Sequence, residues 1–137
     1  MKLYPYLINR LTHTERIRCA VACAEDETVL ASVIQAYDLG FIQPVLFGNQ
    51  AEIEVLLNDR KDEFEIVSSS SKEEACQLAV QSVSSGKSRL LMKGFVDTSV
   101  LLKAVLNKEW GLRDKPVLSH VCIATLPHKD KLYFISD

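Results

Sequence analysis

The segment 90–106, LLMKGFVDTSVLLKAVL, constrains the fold more than any other part of this chain. Its first three residues form a short apolar run, which is typical of a β-strand that is covered on both faces. A Lys-Gly pair at 93–94 ends the run, and the side chains at 97–99 provide oxygens that can cap a helix. The segment therefore predicts a buried strand, a tight turn and a helix over 97–108.

Strands and helices alternate along the rest of the chain. The predicted strands cover 17–24, 43–48, 64–67, 88–92, 117–126 and 132–135, and the predicted helices cover 25–39, 50–58, 72–83 and 97–108. This order predicts an α/β fold, namely a three-layer, mostly parallel sheet with helices on both faces. The last two strands form a hairpin, which we expect to add an antiparallel element to that sheet.

Composition excludes several classes of function. The net charge of −2 argues against a general nucleic-acid or membrane-surface binder, because both need a basic surface. No apolar run has the length that spans a bilayer, and the N-terminus lacks the apolar core of a signal peptide. We therefore expect a cytoplasmic protein whose four cysteines are free, buried thiols, not metal ligands.

The standard cofactor motifs are absent. The sequence contains no Walker A motif, no GxGxxG, no HExxH and no GxSxG. Nicotinamide or ATP binding of the standard kinds therefore has little support. We expect no permanently bound cofactor and no metal.

The turn at 93–94 and the helix after it form a candidate anion site. A helix N-terminus presents unpaired N–H groups and a partial positive charge. Lys93 and Gly94 precede the turn, Thr98 and Ser99 begin the helix, and Lys103 lies one turn beyond Ser99 on the same helix face. These five residues are the predicted phosphate-binding groups. The alternative is a capped helix with solvated lysines.

Two further polar clusters lie at predicted strand ends. Glu25 and Asp26 follow the first strand, where acidic residues also simply complement a helix N-terminus. Ser119 and His120 interrupt an otherwise apolar strand, where buried polar side chains need partners. An active site provides such partners, and so does an ordinary polar pair within a sheet.

Four segments resemble the N-terminal part of the phosphate acetyl/butyryltransferase family. Within that family, their sequences are most similar to those of the phosphate butyryltransferases. The four segments are 21–48, 90–113, 118–127 and 131–137. The resemblance implies reversible transfer of an acyl group between coenzyme A, as a substrate, and inorganic phosphate. It also implies a fold like that of isocitrate and isopropylmalate dehydrogenases, without nicotinamide chemistry, and a homo-oligomer.

The resemblance also implies roles for single residues. Lys93, Gly94 and Thr98 match the family's strand-to-helix turn beside the active-site cleft. Lys103 stands where the family usually has an arginine that is thought to hold phosphate, so the charge is kept but the two-pronged geometry is lost. Ser119 and His120 match a segment that lines the same cleft, and they are the predicted catalytic residues.

Members of the family are longer and carry a second lobe that closes the cleft. We therefore expect residues 1–137 to be the N-terminal α/β lobe alone, a truncated form of that architecture. The alternative function is a non-catalytic lobe that only binds coenzyme A or phosphate, or only oligomerises. A signalling receiver domain is disfavoured, because the third strand, FEIV, runs into four serines and offers no phosphoacceptor aspartate.

Overall fold

The structure is a computed structural model that describes residues 15–115, 118–126, 128–129 and 131–136. Its strands are β1 (Ile17–Ala22), β2 (Ile42–Gly48), β3 (Glu65–Ser68), β4 (Leu90–Lys93), β5 (Val121–Thr125) and β6 (Leu132–Ser136). Its helices are α1 (Glu27–Asp38), α2 (Gln50–Leu57), α3 (Lys72–Ser84) and α4 (Thr98–Val105), with a 3₁₀ helix at Asn58–Glu63. The predicted order of strands and helices is confirmed, and the 3₁₀ helix was not predicted.

The first four strands form one parallel sheet in the order β3-β2-β1-β4. Alternate residues of β1 point to opposite faces, so Val21 packs with α1 and α2 while Ala20 packs with α3 and α4. Both faces are therefore covered by helices, which confirms the predicted α/β fold. β1 lies inside the sheet, and its residues from Cys19 onward are buried.

Three of the helices begin with a side-chain cap in the short loop that follows a strand. Asp26 accepts a hydrogen bond from the N–H of Val29 (2.9 Å) and caps α1. Asn49 caps α2 in the same way, and Ser71 caps α3. Because these caps follow strands that all run in one direction, the three helix N-termini lie at the carboxyl edge of the sheet.

Helix α4 is shorter than predicted. Its last residue is Val105, and Asn107 then accepts hydrogen bonds from the N–H groups of Glu109 (2.9 Å) and Trp110 (3.2 Å). An asparagine side chain that bonds to nearby backbone favours a turn over a continued helix. The predicted extension to residue 108 is therefore wrong.

The predicted hairpin is confirmed, but its place in the fold is not. β5 and β6 form a two-stranded antiparallel sheet of their own, paired from Val121–Ser136 to Thr125–Leu132. The prediction that they extend the parallel sheet is wrong for the described residues, because the backbone hydrogen bonds of β5 pair it with β6 alone. The predicted strand residue 117 and the turn residues 127 and 130 lie outside the described residues.

The described helices are all too short or too polar to cross a membrane.

Candidate functional site

The carboxyl edge of the parallel sheet carries a polar pocket of about 310 Å³. Ligands of open α/β sheets bind at this edge. The pocket is lined by residues that follow each of the four strands, namely Glu25, Asn49, Glu52, Ser69, Ser70, Ser71, Lys72 and Phe95. Of these residues, only Glu25 belonged to a cluster that the sequence indicated, because a ring of single residues from four loops has no sequence motif.

Glu25 is held in an unusual way beside this pocket. Its Oε2 atom is buried, and no hydrogen-bond partner for it exists among the described residues. A Cβ atom at Gly48 would overlap that oxygen, so glycine at this position leaves the space that the carboxylate occupies. An unpaired buried polar atom destabilises a fold by about 1–3 kcal/mol. The stability of the fold therefore does not explain why position 25 is a glutamate.

The Lys-Gly turn after β4 has the predicted local structure. Lys93 is the last residue of β4, and its ammonium donates hydrogen bonds to the carbonyl oxygens of Val96 (2.7 Å) and Gly94 (3.4 Å). Gly94 is buried, and its N–H donates to the carbonyl of Ala22 (2.8 Å). A Cβ at Gly94 would overlap the carbonyl oxygens of Ala22 and Cys23, so close contact of two backbones requires glycine here.

Helix α4 begins directly after this turn. Asp97 occupies the N-cap position, but its side chain makes no capping hydrogen bond. Its carbonyl oxygen accepts from the N–H groups of Val100 (3.0 Å) and Leu101 (3.3 Å). Thr98 and Ser99 are exposed at the first two helical positions, where N–H groups have no partner within the helix.

Lys103 lies in the last turn of α4, away from the Lys-Gly turn. It is exposed and lines a surface groove of about 260 Å³ between α3 and α4. The other lining residues are Glu73, Gln77, Val100, Ala104, Asn107 and Trp110. Lys93 does not line this groove. The described structure thus brings Lys93, Gly94, Thr98 and Ser99 together and places Lys103 in a neighbouring groove.

Ser119 and His120 lie outside the strand in which they were expected. β5 begins one residue later, at Val121, and both residues are exposed. The expectation of a buried pair is wrong, because pairing in this small sheet extends only from residue 121 to residue 136. Among the described residues, no hydrogen bond joins either side chain to the turn at 93–98.

Cys19, Cys23 and Cys76 are buried, as expected. The expectation is wrong for Cys122, which is exposed because it lies in β5, outside the helix-covered parallel sheet. The Sγ atoms of Cys23 and Cys76 lie 4.0 Å apart at the carboxyl edge of β1. Burial raises the pKa of Cys23 to about 12 and that of Cys19 to about 11. These thiols are therefore protonated and unreactive at neutral pH. Within the described ranges, no group of three or more His, Cys, Asp or Glu side chains could hold a metal ion.

The fold and its edge define an α/β protein with polar strand-to-helix loops along one side of a parallel sheet. Comparison with known sequences narrows this class of α/β protein to one family. The chain is 36% identical to a phosphate butyryltransferase of Clostridium beijerinckii, over 99% of this chain and 46% of that protein. It is 37% identical to the Clostridium acetobutylicum enzyme of the same name, over 100% of this chain and 46% of that protein.

A phosphate acetyltransferase of Thermotoga maritima is 34% identical over 88% of this chain and 42% of that protein. The crystal structure of a branched-chain phosphotransacylase from Enterococcus faecalis V583 superposes with a TM-score of 0.73 at 28% identity. This superposition covers 88% of this chain and 42% of that one. No protein-family model matches the chain.

These comparisons confirm the resemblance to the N-terminal part of the phosphate acetyl/butyryltransferases. The chain spans less than half the length of the curated relatives that it matches.

Proposed function

We propose that this protein is the N-terminal α/β lobe of a phosphate acyltransferase, which transfers a butyryl or acetyl group reversibly between coenzyme A and inorganic phosphate. The observation that carries the proposal is the similarity to phosphate butyryltransferases along nearly the whole chain. In this reaction coenzyme A is a substrate and no cofactor is bound permanently. Free thiols suit the reducing cytoplasm as its compartment.

The reaction places specific demands on a site. A phosphate oxygen attacks the carbonyl carbon of the thioester, the tetrahedral oxyanion collapses, and the C–S bond breaks. The acyl phosphate leaves with the new C–O bond, and the thiolate of coenzyme A takes up a proton. The site must therefore hold phosphate against the carbonyl and stabilise the oxyanion, and no covalent enzyme intermediate is required.

The residues around the Lys-Gly turn suit the binding of phosphate. An ammonium group has three donors, and the two carbonyl contacts of Lys93 leave one for a ligand. The first N–H groups of α4, at Thr98 and Ser99, add donors at the positive end of the helix dipole. Gly94 permits the close backbone contact that fixes the turn. Lys103 would provide a second cation through its long, exposed side chain.

Ser119 and His120 are proposed to donate hydrogen bonds to the substrate carbonyl or phosphate. Both side chains are exposed and lie just before β5. A hydroxyl and an imidazole can each donate a hydrogen bond to an oxyanion. This role requires the segment 118–120 to lie against the turn at 93–98 when substrates are bound.

The test is phosphate-dependent release of thiol from butyryl-CoA by the purified chain. Because Cys122 is exposed, the thiol reagent also reacts with the protein, so the assay is run in a Cys122→Ser background. Release that requires phosphate supports the proposal. No release, or release independent of phosphate, contradicts catalysis by this chain.

Phosphate use in the active protein should depend on Lys103. A charge-assisted hydrogen bond contributes about 1.5–3 kcal/mol, so Lys103→Ala should raise the phosphate KM about tenfold to a hundredfold. The matched control is Lys108→Ala, which removes an exposed lysine just beyond α4 and should leave the KM unchanged. Equal KM values for the two variants would remove Lys103 from the site.

A second candidate is a non-catalytic lobe that binds coenzyme A or phosphate, or only oligomerises as a homo-oligomer. It is favoured by the geometry of the described residues, in which no hydrogen bond joins Ser119 or His120 to the turn at 93–98. Isothermal titration with coenzyme A and with phosphate distinguishes the two candidates, because binding without turnover supports the second.

A further inference from the structure

The carboxylate of Glu25 makes no hydrogen bond and no ion pair in the described parts of the chain. Its Oε2 atom is buried beside Gly48, where it has no partner. Glu25 also lines the polar pocket of about 310 Å³ at the carboxyl edge of the sheet, so a molecule in that pocket can reach its other oxygen, Oε1. An ionised carboxylate only accepts hydrogen bonds, so Glu25 lacks a donor.

Lys72 lines the same pocket from the first turn of α3. Its ammonium donates a hydrogen bond to the carbonyl oxygen of Phe95 (2.8 Å) and lies 4.6 Å from the centre of that residue's ring. An ammonium group has three donors, so two remain for a ligand. Because Phe95 belongs to the turn at 93–98, Lys72 is held at the same turn as Lys93, whereas Lys103 lies in a neighbouring groove.

The two charged groups do not pair with each other. Glu25 and Lys72 form no salt bridge, although both line one small pocket. Charges of opposite sign that stay apart in this way suit a ligand that fits between them. Such a ligand offers a hydrogen-bond donor to the carboxylate and an anionic oxygen to the ammonium.

The other polar groups of the pocket are mostly donors or already bonded. Glu52, the second carboxylate, accepts a hydrogen bond from the side chain of Asn49 (3.0 Å). The hydroxyls of Ser69 and Ser71 line the pocket and can donate to a ligand. Several donors beside one unpaired acceptor favour an oxyanion that still carries a proton.

Hydrogen phosphate is such an oxyanion. At pH 8 it is a dianion whose remaining P–OH group can donate to a carboxylate, while its other oxygens accept from cations and hydroxyls. Sulfate is also a tetrahedral dianion, but it has no proton and would turn an acceptor toward the acceptor Glu25. A repulsive contact with the wrong ligand is a general source of specificity.

We propose that Glu25 and Lys72 bind the phosphate of the proposed reaction. Lys72 pairs with an anionic oxygen, and Glu25 accepts the hydrogen bond of the P–OH group and thereby selects phosphate over sulfate. This inference rests on the proposed function, because that reaction makes inorganic phosphate a substrate. It adds two residues from other loops to the Lys-Gly turn.

The experiment is isothermal titration of the purified chain with phosphate, arsenate and sulfate at pH 8. Hydrogen arsenate has the shape and the O–H group of hydrogen phosphate, so it separates the effect of the proton from that of charge. The unchanged chain should bind phosphate and arsenate about tenfold more tightly than sulfate or better, as expected for one charge-assisted hydrogen bond.

Glu25→Gln tests the acceptor. Its amide N–H₂ group can donate to sulfate, so the variant should bind sulfate about tenfold more tightly than the unchanged chain and lose the preference for phosphate. The matched control is Glu27→Gln, which removes an exposed charge in the first turn of α1 and should keep the preference. Urea denaturation should show Glu25→Gln to be at least as stable as the unchanged chain, whereas a purely structural role predicts a loss.

Lys72→Ala tests the cation. It should weaken the binding of phosphate and of sulfate about tenfold each and leave their ratio unchanged, because both anions pair with the ammonium. The matched control is Lys61→Ala, which removes an exposed lysine of the 3₁₀ helix and should leave both affinities unchanged. This variant and the comparison of anions on the unchanged chain do not depend on how Glu25→Gln folds.

Three outcomes would overturn the inference: equal affinity of the unchanged chain for phosphate and sulfate, an unaltered preference in Glu25→Gln, and no binding of any of the three anions. Binding is measured without acyl-CoA, so it is independent of thiol release. Selective phosphate binding without thiol release would support the inference and contradict the reaction. Phosphate-dependent thiol release together with equal affinities would contradict the inference and leave the reaction standing.

Discussion

Strands β1 and β5 have similar sequences and opposite surroundings. β1 contains the run Cys-Ala-Val-Ala at 19–22, and β5 is Val-Cys-Ile-Ala-Thr. Val21 is 0% exposed in β1, whereas Val121 and Ile123 of β5 are 57% and 61% exposed. The difference lies in what covers each strand, since β1 has a strand on either side and helices on both faces. An apolar run thus predicts a strand but not its neighbours.

Gly94→Ala should break the parallel sheet near its carboxyl edge and have the largest effect. The added Cβ would overlap two backbone carbonyl oxygens, which cannot move without shifting β1. We expect a loss of about 3 kcal/mol or more in the free energy of unfolding, measured by urea denaturation. Gly86→Ala is the control, because Gly86 has φ +79° but open space around it, and should lose about 1 kcal/mol. Equal losses would mean that the carbonyl groups of Ala22 and Cys23 move aside at little cost, which would contradict the requirement for glycine at position 94.

A pair of isoleucines compares the two regions directly. Ile53 of α2 is 0% exposed against the sheet, and Ile123 of β5 is 61% exposed. Ile53→Ala should lower the free energy of unfolding by about 3 kcal/mol, because it leaves a cavity in a packed core. Ile123→Ala should lower it by about 0.5 kcal/mol or less, as is usual for surface positions. A large loss at Ile123 in the isolated chain would show that the hairpin already has a partner.

The smallest expected effects concern the cysteines. They are measured as the rate of thiol modification and as the dependence of stability on pH. A thiol reagent at pH 8 should modify Cys122 rapidly, and Cys19 and Cys23 only when the protein unfolds. Burial raises the pKa of Cys23 to about 12 from an ordinary value of 9.0, so the folded state holds its proton longer than the unfolded state does. Stability should therefore fall as the pH rises from 9 toward 12.

The expected loss is up to about 1.4 kcal/mol per pH unit for each buried thiol. Urea denaturation at pH 8, 9 and 10 measures it. Cys23→Ala should reduce the slope of stability against pH, and Cys122→Ala should leave it unchanged. Identical slopes in both variants would contradict the assigned burial of Cys23.

The sequence predicted the parts of the candidate site that lie within one segment. It did not predict which segments come together to form the pocket and the groove. Lys93, Gly94 and Thr98 stand at the predicted strand end, turn and helix start. Neighbouring residues alone produce that arrangement, so the pattern of one segment is sufficient. The pocket at the carboxyl edge joins residues from four loops, and the groove beside Lys103 joins two helices. No single segment contains the information about such neighbours.

By itself the sequence determined the alternation of strands and helices, the α/β class and the resemblance to phosphate acyltransferases. These features depend on side-chain periodicity, caps and glycines, which act within one segment. Only the tertiary structure decided that β5 and β6 stand apart from the parallel sheet, that Ser119 and His120 are exposed, and that Lys103 lies in a separate groove. The physical reason is that burial is a property of pairs of segments, and a segment's own residues do not specify which partner covers it.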